Sequence, residues 1–301
     1  MAEVLTLTMN PALDLSTQVE RLEPAHKLRC DHPLWHPGGG GINVARVLHR
    51  LGLGVLALFP AGGGNGQRLC QLLQDEGVPM QRLPIDQETR ENFQVTERAT
   101  GREYRFVLPG PALAEAQWEQ ALHALATAQP RPACVVASGG LAPGMPADFL
   151  ARLVRWAREA GVRVALDCWG EPLRLALAEG VWVVKPSLRE LEEFIGRPLP
   201  DEAAQVAAAR ELVASGKAQV VALSLGESGA LLATAQGVWI APALQVQVAG
   251  TVGAGDSFMA GLLASLLRQD DPAAALRMAM AAAGSALTAA GTALSDPAQV
   301  A

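Results

Sequence analysis

Short apolar runs alternate along the chain with longer segments in which apolar residues recur every three to four positions. The short runs favour strands, because they are rich in Val and Leu and are bounded by turn residues. They lie at 4–8, 55–59, 134–137, 163–166, 181–184 and 220–224. The longer segments predict helices at 42–51, 148–160, 188–194, 203–214, 257–268 and 273–290. Strands that alternate with helices predict an α/β protein whose mostly parallel central sheet is covered on both faces.

Two regions depart from this alternation. Residues 15–35 and 92–108 change between polar and apolar from one position to the next. That period suits strands with one buried face. We expect them to form a small antiparallel sheet that projects from a single domain spanning residues 1–301 and serves as a lid.

Composition narrows the classes of function. The 301-residue chain is 50% hydrophobic and carries a net charge of −6, so it can bury a large core and lacks the positive charge of a nucleic-acid-binding protein. The four cysteines form no C-x-x-C pair, and neither a disulfide framework nor a zinc site is predicted. The N-terminal segment lacks a basic leader pattern and no apolar stretch reaches about 18 residues, which predicts a cytoplasmic protein with no membrane partner.

The segment 251–258, Thr-Val-Gly-Ala-Gly-Asp-Ser-Phe, carries the most specific chemistry. The backbone of Gly253, Ala254 and Gly255 can approach an anion closely, and the amides that open the following helix can point at phosphate oxygens. Asp256 then stands beside the developing charge as a candidate base. A carboxylate at this place can also simply stabilise the helix dipole, but the glycines favour a phosphoryl-transfer site.

Four consecutive glycines at 38–41 form the second distinctive segment. They lack the G-x-G-x-x-G spacing of a dinucleotide fingerprint, and no acidic residue closes a strand about 20 residues later. A dehydrogenase is therefore disfavoured.

The segment 37–46, Pro-Gly-Gly-Gly-Gly-Ile-Asn-Val-Ala-Arg, followed by the segment 251–258, resembles the paired signatures of the ribokinase-like carbohydrate kinases. The resemblance covers nearly the whole chain. Within the family the chain is most similar to the ATP-dependent 6-phosphofructokinase branch, with 1-phosphofructokinases and tagatose-6-phosphate kinases as neighbours. It implies a ribokinase-like three-layer sandwich with a mostly parallel central sheet and a small β-sheet lid.

The same resemblance implies roles for individual residues. Asp256 would take the proton from the C1 hydroxyl of fructose 6-phosphate as that oxygen attacks ATP, and the amides of Gly253, Ala254 and Gly255 would bind the transferred group. Fructose 1,6-bisphosphate would be the product, in glycolysis. The residues implied in sugar-phosphate binding are Asp14, Lys27, Gly39, Gly40, Asn43, Arg90, Arg105 and Gly139.

On the nucleotide side the resemblance implies ATP, Mg²⁺ and a monovalent cation such as K⁺. Glu190 would orient Mg²⁺ through water, and Gly250, Val252 and Gly291 would surround the monovalent cation. An exposed lid edge further implies a homodimer formed through the lid. The residues implied in ATP binding are Lys185, Ser187, Ser224, Gly226, Gly229, Thr251 and Gly284.

Three departures from the family pattern affect the substrate more than the reaction. Ser187 replaces the usual asparagine, Gly140 replaces a serine, and Cys168 and Trp169 follow Asp167 where small residues are typical. The alternatives are a 1-phosphofructokinase, a tagatose-6-phosphate kinase, or a sugar-phosphate-binding protein that has lost turnover.

Overall fold

A nine-stranded sheet forms the centre of the computed structural model, which describes residues 3–288 and 294–300. The strands are β1 (Val4–Leu7), β2 (Ala12–Val19), β3 (Leu34–Gly38), β4 (Val55–Ala61), β5 (Met80–Pro84), β6 (Arg90–Glu97), β7 (Arg102–Val107), β8 (Cys134–Ser138), β9 (Arg163–Asp167), β10 (Val181–Val184), β11 (Ala218–Ser224), β12 (Ala230–Thr234) and β13 (Gly237–Ala241). The helices are α1 (Gly40–Arg50), α2 (Gly63–Asp75), α3 (Glu115–Thr127), α4 (Phe149–Ala160), α5 (Gly170–Ala178), α6 (Leu188–Ile195), α7 (Glu202–Ala214), α8 (Ala254–Leu267) and α9 (Pro272–Leu287).

The order of strands in the large sheet is β13-β12-β11-β10-β9-β8-β1-β4-β5. The seven strands from β11 to β5 run parallel, and β12 and β13 complete the sheet in antiparallel orientation. Because the parallel strands share one direction, their carboxyl ends lie along one edge of the sheet. That edge is where open α/β sheets bind ligands.

Two hydrophobic cores cover the two faces of this sheet. Adjacent strand residues alternate between them: Val4 and Val136 belong to one core, while Leu5 and Val135 belong to the other. Helices α1, α2, α8 and α9 contribute to the first core, and α3 to α7 contribute to the second. The predicted arrangement of a mostly parallel sheet between two helical layers is confirmed.

A separate four-stranded sheet has the order β3-β2-β6-β7. The pairs β2–β3 and β6–β7 are antiparallel, but β2 and β6 pair in parallel, so the expectation of a wholly antiparallel sheet was wrong. Strands β2 and β6 follow β1 and β5, which are both members of the parallel stack. The chain therefore leaves the large sheet twice in the same direction, and the two emerging strands lie side by side.

Among residues 3–288 and 294–300, no helix combines the length and apolar character that a bilayer crossing requires.

Candidate active site

The carboxyl ends of β8, β9 and β10 bring three polar side chains together. Ser138 and Asp167 are the last residues of β8 and β9, and Lys185 follows β10 directly. The Lys185 Nζ lies 3.0 Å from Asp167 Oδ1, and the two side chains are only 7% and 15% exposed. This buried ion pair forms the floor of the site. Of its members, only Lys185 was predicted as a site residue.

The glycine-rich segment before α8 forms the second wall. Gly253 caps the helix in a left-handed conformation, with φ of 77°, which strongly favours glycine. The first amides of a helix have no partner inside the helix and point outward at its positive end. A Cβ placed on Gly255 would lie 3.5 Å from Lys185 Nζ, so the lysine ammonium is adjacent to these amides. Together they make a cradle for an anion.

Asp256 lies half-buried in the first turn of α8, close enough to Lys185 and Asp167 for their charges to shift its pKa. Its Oδ2 accepts a hydrogen bond from Asn43 Nδ2 at 2.9 Å. Burial and the nearby Asp167 carboxylate raise the pKa of Asp256 to about 6, against the opposing effects of Asn43 and Lys185. A carboxylate with this pKa is ionised at neutral pH and is basic enough to accept a proton from a reacting hydroxyl.

The pKa values of the floor residues are shifted by the same crowding. Burial raises the pKa of Asp167 even though Lys185 opposes the shift. Burial also lowers the pKa of Lys185, but the surrounding carboxylates outweigh it and the net change is upward. Lys185 therefore stays protonated and supplies a fixed positive charge to the cradle.

The glycine segment 38–41 and the start of α1 form the third wall. Gly39 precedes α1 with φ of 117°, and Gly40 packs against the Ser138 hydroxyl closely enough to exclude any side chain. A Cβ placed on Gly139 would lie 3.7 Å from the Gly40 amide nitrogen. The structure thus brings together the predicted Gly39, Gly40, Asn43, Gly139 and Asp256.

Asp14, on β2, approaches this wall from the small sheet. Its Oδ1 accepts a hydrogen bond from Asn92 Nδ2 at 2.9 Å. Burial raises its pKa, while Asn92 and the cations of Arg105 and Arg90 oppose the shift. Asp14, Asn92 and Arg105 line a small cavity together with Val252, near the start of α8. The small sheet therefore borders the site beside the segment that precedes α8.

The three basic residues predicted to bind the sugar phosphate differ in exposure and in hydrogen bonding. The guanidinium of Arg90 donates to the backbone oxygens of Asn10, Leu108 and Pro11 at 2.9, 3.1 and 3.3 Å, which leaves N–H groups of the five available for a ligand. Arg105 is exposed and lines the cavity beside Asp14. Lys27 lies exposed in the connection between β2 and β3 and has no ion pair within the part of the chain that the structure describes.

Ser187, predicted to bind ATP, and Glu190, predicted to orient Mg²⁺, form hydrogen bonds with each other at the start of α6. Ser187 caps the helix, its hydroxyl accepting from the Glu190 amide at 3.3 Å, while its own amide donates to Glu190 Oε2 at 2.8 Å. This reciprocal arrangement fixes the Glu190 carboxylate near Lys185. Ser224, at the end of β11, bridges to Ser187 in parallel register.

The other residues predicted to bind ATP lie in the turn after β11, in α9 and just before α8. Gly226 and Gly229 adopt positive φ values of 57° and 102° in the turn after β11. Gly284 of α9 packs against Leu244, and a Cβ at this position would lie 2.7 Å from Leu244 Cδ1. Thr251 is exposed.

The site predicted for a monovalent cation is described only in part. The Gly250 amide donates to the Leu287 carbonyl at 3.3 Å, and Val252 is buried. Gly291 lies outside the described residues.

Trp169 and Gly140, two of the departures from the family pattern, lie next to each other. A Cβ on Gly140 would lie 3.1 Å from Trp169 Cζ2, so the indole occupies space that a larger residue at position 140 needs. Trp169 is 52% exposed. It stands two residues after Asp167, at the margin of the site.

The profile of the pfkB family carbohydrate kinases matches residues 3–299. The chain belongs to this family. The family resemblance predicted from the two glycine-rich segments is therefore confirmed, and membership implies a kinase that uses ATP and a metal ion.

Relatives in the pfkB family include enzymes with two acceptor preferences. The chain is 45% identical over 290 residues to the ATP-dependent 6-phosphofructokinase isozyme 2 of Mycobacterium tuberculosis, covering 96% of this chain and 85% of that protein. It is 33% identical over 298 residues to the 1-phosphofructokinase of Escherichia coli, covering 99% and 95%.

Solved structures agree with the predicted fold. Phosphofructokinase-2 from Escherichia coli in complex with substrates and products has a TM-score of 0.96 at 37% identity, covering 99% of this chain and 97% of that chain. Its complex with potassium has a TM-score of 0.95 at 38% identity, covering 100% and 97%. Ribokinase from Arabidopsis thaliana, at 20% identity, has a TM-score of 0.79 over 100% and 98% of the chains, which confirms the ribokinase-like fold.

Proposed function

We propose that this pfkB family member transfers the γ-phosphoryl group of ATP to the C1 hydroxyl of fructose 6-phosphate and releases fructose 1,6-bisphosphate and ADP. The observation that carries the proposal is the position of Asp256, a half-buried carboxylate with a pKa of about 6 in the first turn of the helix that Gly253 caps. The names of the relatives at 45% and 33% identity agree with a phosphofructokinase.

In the proposed reaction Asp256 accepts the C1 hydroxyl proton as that oxygen forms its bond to the γ-phosphorus. The bond between the γ-phosphorus and the β,γ-bridging oxygen breaks, and ADP leaves with the electron pair. The amides of Gly253, Ala254 and Gly255, with the ammonium of Lys185, would balance the negative charge that spreads over the transferred oxygens. The small sheet, acting as a lid, would exclude water from the site, so that ATP is not hydrolysed.

We propose Mg²⁺ as the metal ion, which phosphate oxygens and water would mainly hold. Among the described residues, no three His, Cys, Asp or Glu side chains stand close enough to form a metal cluster. Mg²⁺ commonly keeps several waters, and the Glu190 carboxylate, fixed by the Ser187 amide, would orient one of them. We propose K⁺ as the monovalent ion near Gly250 and Val252, in line with the potassium complex of the Escherichia coli relative.

The cations of the small sheet favour an acceptor that already carries a phosphate. Arg90 and Arg105 both lie close enough to Asp14 to oppose the rise in its pKa, so they are near a residue that we propose binds the sugar. We propose Arg90 as the principal contact of the acceptor phosphate. Arg105 and Lys27 would make further contacts with it when the small sheet closes over the substrate.

Replacing Arg90 by alanine should raise the KM for fructose 6-phosphate about tenfold or more, with little change in kcat, because a charge-assisted contact to the acceptor phosphate is lost. Steady-state kinetics with free fructose as a second acceptor provides the comparison. Arg98→Ala, which removes an exposed lid arginine paired with Glu20 and Asp31, is the control. An equal loss of kcat/KM with both acceptors would contradict the assignment.

A coupled assay of the purified protein with Mg-ATP tests the proposed function. We expect the highest kcat/KM with fructose 6-phosphate when it is compared with fructose 1-phosphate, tagatose 6-phosphate and free fructose. Preference for fructose 1-phosphate would favour the 1-phosphofructokinase alternative. Binding of sugar phosphate without any transfer would favour the non-catalytic alternative.

We further propose that two chains pair through the small sheet. Its outer strands β3 and β7 carry the exposed side chains of Leu34, Phe106 and Val107, which are 61%, 43% and 62% exposed. Open strand edges with apolar side chains promote pairing with another chain. Val107→Glu should therefore shift the sedimentation coefficient from dimer to monomer, whereas a dimer that persists would place the interface elsewhere.

A further inference from the structure

An arginine is completely buried on α1, one helical turn beyond Asn43. Arg46 is only 1% exposed. Its guanidinium contacts Glu76 through Nε and Nη2, the latter 2.6 Å from Glu76 Oε1. The remaining branch, Nη1, donates to Asn43 Oδ1 and to the Pro37 carbonyl, both at 3.3 Å. None of the roles described above uses this residue.

The contact with Arg46 selects one of the two orientations of the Asn43 amide. A guanidinium can only donate hydrogen bonds, so the Asn43 atom facing Arg46 must be the carbonyl oxygen. The amide nitrogen then faces the opposite way, and there it lies 2.9 Å from Asp256 Oδ2. The rotated amide would instead present its oxygen to the carboxylate and its nitrogen to the guanidinium, and both contacts would be repulsive.

Glu76, the C-cap of α2, fixes the guanidinium in turn. It also accepts from Arg50 Nη2 at 3.1 Å, so two arginines of α1 share one carboxylate. The opposing charge of Glu76 is what allows Arg46 to remain buried and charged. The contacts form a continuous series from α2 through α1 to the first turn of α8.

We propose that Arg46 is a positioning residue for Asp256, acting through the amide of Asn43. By holding the Asn43 oxygen, it aims the amide N–H at one carboxylate oxygen of Asp256 and leaves the other oxygen for the acceptor hydroxyl. This inference rests on the proposed function of Asp256. Asn43 would then contact the base Asp256 as well as the sugar hydroxyls, the contact that the resemblance implies.

The charged and polar groups around Asp256 set the pKa that the pH dependence of kcat will report. Asp167 and Asp14 face it as negative charges, Lys185 faces it as a positive charge, and Asn43 supplies the neutral donor. Arg46 makes no hydrogen bond to Asp256 itself. Its removal should therefore act through the Asn43 hydrogen bond, which favours the ionised form of the carboxylate.

Arg46→Lys is the informative variant, because it keeps a buried positive charge for Glu76 but loses the forked geometry that also reaches Asn43. Arg50→Lys is the matched control, since Arg50 lies on the same helix and shares Glu76 but has no contact with Asn43. We expect Arg46→Lys to lower kcat roughly tenfold and to move the acidic limb of the kcat profile to higher pH. The control should stay within about twofold of the wild type.

The substrate phosphate also titrates near pH 6, but it does so equally in every variant. A difference between the kcat profiles of two variants therefore reports on a group of the protein. A double-mutant cycle with Asn43→Ala completes the test. If Arg46 acts through Asn43, then Arg46→Lys should have no further effect on kcat in the Asn43→Ala background. Additive effects, or an unchanged pH profile in Arg46→Lys, would overturn the inference.

Failure of the inference can be distinguished from failure of the proposed function. If the wild-type protein transfers phosphate to none of the acceptors, the proposed function is ruled out. If the wild type is active and Arg46→Lys is equally active, only the role of Arg46 is ruled out. Should Arg46→Lys not fold, Arg46→Met takes its place in the same cycle, because Arg50 still provides Glu76 with a partner.

Discussion

Replacing Asp256 by asparagine is expected to lower kcat about 10³-fold, because a positioned general base typically contributes 10²- to 10⁴-fold to the rate. The amide retains the shape of the side chain and can still accept the hydrogen bond from Asn43, but it cannot take the acceptor proton. Dissociation constants for ATP and fructose 6-phosphate should change little. The loss should therefore appear in kcat rather than in binding.

A second helix of the chain provides a matched control for this substitution. Asp271 caps α9 and accepts a hydrogen bond from the Ala274 amide at 2.8 Å. Asparagine is an equally good cap, so Asp271→Asn should leave kcat unchanged. Equal activities of Asp256→Asn and Asp271→Asn would mean that Asp256 only stabilises its helix dipole.

The same variant should be more stable than the wild type at neutral pH. The pKa of Asp256 is raised to about 6 in the folded state, so the folded protein loses stability as pH rises from about 4 to 6. The shift corresponds to about 3 kcal/mol, which solvent screening of this half-buried group reduces to about 2 kcal/mol. Denaturant unfolding should give Asp256→Asn this advantage at pH 7.5 and none at pH values of about 3.5.

Replacing Lys185 by methionine is expected to damage both stability and turnover. The substitution leaves Asp167 buried without its cation, which typically costs about 3 kcal/mol in the free energy of unfolding. It also removes the positive charge beside the anion cradle, and such a loss typically lowers kcat about 10²-fold.

The pH dependence separates the two effects of Lys185→Met. Without the lysine, the pKa of Asp167 in the folded state rises further, so the stability of the variant falls as pH increases through the carboxylate range. At acidic pH, where the carboxyl group is protonated, the variant should differ least from the wild type. The double variant Asp167→Asn with Lys185→Met should regain stability but not activity. A single variant as stable as the wild type at pH 7.5 would contradict the buried-pair account.

Sequence patterns predicted six of the seven strands of the parallel stack, because each of the six is a short apolar run with a clear boundary. They missed β5, which reads Met-Gln-Arg-Leu-Pro and has no such apolar run. They missed α2, which begins Gly-Gly-Asn-Gly and so has weak helix propensity in its first turn. They also missed β12, whose residues Ala230–Thr234 read Ala-Leu-Leu-Ala-Thr. Alanine and leucine favour helices, and only pairing with β11 makes this segment a strand.

The site was predictable where local sequence carries its chemistry and unpredictable where distant residues meet. The glycines around Asp256 identify an anion site from one short segment. Nothing local connects Arg46 with Glu76, 30 positions later, or marks Asp167 as the partner of Lys185. The position of Asp167 at the end of a predicted strand was the available signal, since ligands bind at the carboxyl ends of parallel strands.

A crystal structure with fructose 6-phosphate and a non-hydrolysable ATP analogue would test the central claim most directly. We expect the Asp256 carboxylate within about 2.6 to 3.2 Å of the C1 hydroxyl oxygen, with the γ-phosphate against the amides that open α8. A C1 hydroxyl directed away from Asp256, or a sugar phosphate group occupying the cradle in its place, would contradict it.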